Sequence, residues 1–139
     1  MENKLQKEIK EIQETVTPFV FRIVIIITLI GGILGLLFFS SVLFFQIDGS
    51  NFPGYFQYKD ETGIVFKIFL ILQIIIHIGF VFSAIQLIKN KKAGIYMYAL
   101  CIIVFIISRL YYSESLVYIE SFSGLLLLLL MILSWKKLK

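Results

Sequence analysis

Four nearly uncharged apolar runs, at 19–45, 64–88, 95–112 and 116–135, leave this chain little freedom of architecture. Crossing ~30 Å of hydrocarbon as a helix takes ~20 mainly apolar residues. The first run carries only Arg22 and the second only Lys67, each near its start; the third is uncharged until Arg109, and the fourth holds Glu120 alone. Strands of a membrane barrel would alternate apolar and polar residues in segments of ~10. These runs do not alternate, so helices are predicted. The expected fold is all-α, an integral membrane protein whose four-transmembrane-helix bundle fills 18–135.

Composition agrees. The 139 residues make room for one domain. They are 59% apolar and 16% charged, against about 25% charged in a soluble domain. Too little polar surface exists to cover a water-facing globule, so the lipid bilayer is the expected partner for most of the chain. A net charge of +4 does not point to nucleic acid, because the basic residues flank the apolar runs instead of forming one basic face. Cys101 is the single cysteine, which excludes an intrachain disulfide and a paired-cysteine redox or zinc site. It reads as a small packing residue.

Ahead of the first run, Leu5, Ile9, Ile12 and Val16 recur at helical spacing among Lys4, Lys7, Glu8, Lys10, Glu11 and Glu14. This pattern predicts a short N-terminal amphipathic helix over 1–17. It suits the headgroup region, a partner's surface or a solvated extension of the first span. Thr17-Pro18 is the expected joint, since proline lacks an N–H and favours a first helical turn. The first span is longer than the ~7–15 residues of a signal-peptide core, so it is expected to be retained despite Ser40 and Ser41 at its end.

Basic residues set the expected orientation. Lys4, Lys7, Lys10, Arg22, Lys89, Lys91, Lys92, Lys136, Lys137 and Lys139 fall on one face, and Lys59, Lys67 and Arg109 on the other. The positive-inside rule makes the richer face cytoplasmic. Both termini then lie in the cytoplasm, including the basic tail 136–139, for a multi-pass protein of an inner or plasma membrane. The outer face receives the 46–62 loop, where Phe52, Tyr55, Phe56 and Tyr58 are interfacial aromatics around the turn formers Gly49, Pro53 and Gly54. A tight outer turn falls at Ser113 to Ser115.

Depth brings several polar residues together. Counting ~1.5 Å per residue from each cytoplasmic end puts Gln73 and Arg109 at ~22 Å and Glu120 at ~21 Å, with His77 one turn nearer the midplane at ~16 Å. A lone charge at such depth costs ~2.5–3.5 kcal/mol on insertion scales. Arg109 and Glu120 stand on consecutive helices, which are usually neighbours, so a pair pinning spans three and four is the expected arrangement. Together with Gln73 they would otherwise line a cavity or pathway. His77 has the chemistry to relay protons, bind a metal or hydrogen-bond between helices. With no second histidine in the chain and no cysteine or aspartate at ligand spacing, the expected role is a neutral imidazole bonded across a helix interface.

In the first span, Gly31 and Gly35 form a GxxxG, and Thr28 with Gly32 a second small-xxx-small pair. Small residues let membrane helices approach closely, either within the bundle or against another protomer. The chain has no Ser/His/acid trio, HExxH, Walker loop or DxxD. It departs from three familiar classes of small membrane protein at their defining residues. Small multidrug transporters depend on a glutamate in span one, which is missing at 19–45. Leu36-Leu37-Phe38-Phe39 follows the glycines where small fluoride channels carry an arginine, and membrane thiol oxidoreductases need paired cysteines. The expectation is therefore a non-enzymatic protein without cofactor, acting by helix–helix association in a homo-oligomer or with another membrane protein. The alternative is a small transporter or pore lined by spans two, three and four.

Overall fold

The computed structural model describes residues 2–45, 63–112 and 117–133, and side chains from residue 18 onward within them, except at 112, 117, 118 and 120. Four helices and no strand are found among the described residues: α1 Glu2–Phe45, α2 Ile64–Ile88, α3 Ala93–Tyr112 and α4 Val117–Leu133. Three segments are long and apolar enough to cross a membrane: Pro18–Phe45, Ile64–Ile88 and Ala93–Tyr111. In α4 the continuous apolar stretch is shorter, Ser121–Leu133. The 46–62 loop with Phe52, Tyr55, Phe56 and Tyr58, the turn at 113–115, the tail 136–139 and the Glu120 side chain lie outside the described residues.

No break occurs at Thr17-Pro18. Helix α1 continues through Pro18 for 44 residues, so the polar stretch expected as a separate helix is the start of α1. Proline cannot donate to the carbonyl of Glu14, but every other amide around it can, and one missing bond has not ended the helix here.

Consecutive helices pack on each other, and α1 closes on α4 over a thinner interface than any consecutive pair makes. The main core joins Phe21, Val24 and Ile25 of α1 to Ala84 and Leu87 of α2, with Tyr98, Ile102 and Phe105 of α3 and Met131 of α4. A second cluster, Phe39 and Val42 with Phe66, Phe69 and Leu70, fills the far end of the α1/α2 interface. Outward faces carry exposed side chains such as Ile30, Leu34, Ile75, Ile103, Leu125 and Leu129. In water such a surface would aggregate; in hydrocarbon it is the appropriate solvent face.

The α2–α3 connection is a tight cap. Asn90 adopts φ 55, the left-handed conformation that asparagine tolerates better than most residues. Its N–H donates to the Leu87 carbonyl at 2.9 Å, and that of Lys91 to the Gln86 carbonyl at 3.0 Å. These two bonds are the Schellman pattern, with Asn90 in the place usually taken by glycine. Just beyond, Ser83 Oγ donates to the Gly94 carbonyl at 2.7 Å. A Cβ on Gly94 would lie 2.8 Å from the Ser83 carbonyl oxygen, so glycine is what lets α3 start so close to α2.

Candidate intramembrane polar site

Three of the four polar residues singled out by depth meet in one layer. Gln73 is 0% exposed and Arg109 3%. Gln73 Nε2 donates to Ser108 Oγ at 2.8 Å, joining α2 to α3 beside Arg109. Ser108 Oγ donates in turn to the Phe105 carbonyl at 2.8 Å. Gln73 Oε1 is buried and accepts no hydrogen bond among the described residues. Sequence reasoning passed over Ser108. Its one signal was position, next to Arg109 and at nearly the same depth as Gln73.

Arg109 does not snorkel. Its guanidinium lies over the rings of Phe39, 5.8 Å from the centroid, and Phe105, 5.5 Å away. Each desolvated cation–π contact contributes about 2 kcal/mol, enough for two of them to offset the insertion cost of one charge. The pairing expected with Glu120 falls on a side chain outside the described residues.

His77 departs from the expected bond across an interface. Nδ1 donates to the carbonyl of Gln73 in its own helix at 2.7 Å. Because a carbonyl only accepts, Nδ1 carries a proton. What crosses the interface is the ring itself. A Cβ placed on Gly35 would overlap His77 Cδ2 and Nε2. Rings of Phe39, Phe80 and Phe105 stand 5.2, 5.8 and 6.1 Å from the imidazole. The histidine therefore occupies a slot that glycine leaves in α1, walled by aromatics.

The small residues of α1 divide accordingly. Gly32 meets α2, where a Cβ would come within 2.8 Å of Val81 Cγ2 and 3.2 Å of its backbone nitrogen. Thr28 is buried on the same face, and its Oγ1 donates to the Val24 carbonyl at 2.8 Å. A Cβ on Gly31 would meet nothing within 4 Å, so among the described residues no other helix packs against the first glycine of the GxxxG. It borders a cleft of about 240 Å³ between α1 and α4, lined by Thr28, Gly31, His77, Tyr98, Ser123 and Gly124 among others. Tyr98 spans its floor, donating from its hydroxyl to the Gly124 carbonyl at 3.2 Å.

Among the described residues, no group of three or more histidine, cysteine, aspartate or glutamate side chains is placed to hold a metal ion. Chemically, the site is one imidazole, one amide, one hydroxyl and one guanidinium in an aromatic enclosure. Together with the three membrane-length apolar helices, it defines a helical membrane protein with a polar layer inside the bundle. No family model, curated protein or solved structure matches the chain.

Proposed function

We propose that this chain is a four-span membrane protein with both termini in the cytoplasm, acting without catalysis through helix–helix association. Helix α4 serves as the fourth span. That reading is supported by Met131, fully buried in the core, and by the exposed apolar side chains Phe122, Leu125 and Leu129. The ten-to-three distribution of basic residues supports the orientation. The observation that carries association is Gly31, a small residue in the middle of a span that faces open space at the loose α1/α4 seam. Within lipid, close backbone approach is a main source of helix attraction, and this position offers it to another helix. A second copy is the occupant to test first.

The test is the oligomeric state of the full chain in lipid nanodiscs, read by single-molecule photobleaching. Gly31→Leu is expected to shift dimers or larger species to monomers while leaving thermal stability within about 0.5 kcal/mol, as for substitutions that touch nothing. A wild-type chain that is already monomeric would remove homo-association.

A second reading, a transporter or pore, draws on the unaccepting Gln73 Oε1 and on His77 lining the α1/α4 cleft. Flux of protons or ions in reconstituted vesicles tests it. The expected result is no specific flux; one altered by His77→Leu would favour the pore.

A further inference from the structure

The end of the bundle that holds the α2–α3 link carries a second opening, far from the polar layer. A groove of about 450 Å³ runs between the start of the first span and the end of α2. Its walls are apolar, from Phe21, Ile25 and Leu29 on one side and Leu87 on the other, and its mouth is polar, at Arg22 and Asn90. The volume falls within the ~300–1,000 Å³ typical of small-molecule sites. Lys89 and Lys91 flank Asn90 in the chain.

Three features suit this mouth to an anion. Arg22 is exposed and has no side-chain partner among the described residues. Lys89 and Lys91, on either side of Asn90, are exposed as well. Finally, the end of a helix normally repels anions through its unpaired carbonyls, but here those of Ile85, Gln86 and Leu87 all accept hydrogen bonds from the link. An apolar groove with a basic mouth at a helix-terminal level of the membrane has the chemistry of one amphiphile, an anion on an acyl chain.

We infer that the groove between α1 and α2 binds an anionic phospholipid, its acyl chain along Phe21, Ile25 and Leu29 and its phosphate at Arg22. Basic pockets between spans on the cytoplasmic side are where such headgroups are held. The inference rests on the membrane reading above but not on association, nor on which leaflet the mouth faces.

Native mass spectrometry of the full chain in detergent, titrated with phosphatidylglycerol or phosphatidylcholine, tests it. Phosphatidylglycerol is expected to bind more tightly and to raise the melting temperature. Arg22→Gln should weaken that binding about fivefold, the contribution of one basic residue beside an anionic surface. Lys67→Gln, at the opposite end of α2, should leave it unchanged. Glycerophosphate alone should have no effect, since it cannot fill the groove; stabilisation by it would assign the site to a free anion and overturn the proposal. Equal binding of the two lipids, or a phosphatidylglycerol preference untouched in Arg22→Gln, would also overturn it. A reporter after Asn90 that reads the outer side would instead sink the orientation, and lipid binding lost only at Arg22 would survive that result.

Discussion

Helix α1 meets its two neighbours in opposite ways. Against α2 it is keyed: Gly32 admits Val81, Gly35 admits the His77 ring, and Phe39 closes the far end on Phe69, with ring centroids 6.5 Å apart. Against α4 it is loose, with a cleft where the other interface has interdigitated side chains and with Gly31 facing open space. Two glycines adjacent in sequence thus do unrelated jobs. The difference teaches that, in a bilayer, a small residue is an offer of close approach; whether it is taken up inside the chain depends on which way the helix is turned.

Substitutions at the keyed interface should do the most damage. Gly32→Leu and Gly35→Leu place branched side chains where backbone and imidazole already are, and each should cost 3 kcal/mol or more, at or beyond the upper end of the ~1–3 kcal/mol typical of overpacking. Thermal unfolding in detergent, with yield of the folded protein, measures it. Gly31→Leu under the same conditions should be near neutral. Similar losses at positions 31 and 32 would mean that the two interfaces do not differ.

The imidazole slot allows a sharper version. Gly35→Ala alone should cost about 1–3 kcal/mol because the His77 ring must move. Combined with His77→Ala it should cost less than the sum of the two single changes, as expected for residues in direct contact. Additive losses would mean that the ring does not rest on Gly35.

Smaller effects are expected in the polar layer and the link. Ser108→Ala leaves the buried Gln73 amide without its acceptor, whereas Gln73→Leu removes the amide and its unpaired Oε1 together. The serine change should therefore be the more harmful, by about 1 kcal/mol, though membrane hydrogen bonds average only ~0.6 kcal/mol. At the Schellman cap, Asn90→Val should cost about 1–2 kcal/mol for a side chain forced into the left-handed region. Asn90→Gly should match or slightly exceed wild type, and equal stability of the two variants would argue against that backbone conformation in solution.

Much of this architecture could be read from the sequence, because a bilayer imposes a coarse rule that runs of about 20 apolar residues satisfy plainly. Three membrane-length helices follow from it directly. Depth counting also reached Gln73, His77 and Arg109, since a polar residue in such a run stands out. What stayed hidden was rotation. These helices are apolar all round, so no stripe tells Gly31 from Gly32 or reveals that Gly35 faces a histidine. Nor could Phe39 and Phe105 be picked from the 14 phenylalanines as the pair enclosing a guanidinium. Pro18 misled because its punctuating power is strongest where a helix has nothing else to hold it, and here a long apolar segment follows at once.

The α2–α3 link bears on the order in which the chain is assembled. Its backbone hydrogen bonds run between Ile85 and Tyr96, and the Ser83–Gly94 bond adds a side-chain clasp. Nothing in that turn waits for α1 or α4. During synthesis the pair can close as a hairpin once Tyr112 has been added, before α4 exists. Helix α4, joined later and lying against α1 over a thinner interface than any consecutive pair makes, is then the last piece to settle and the first to give way.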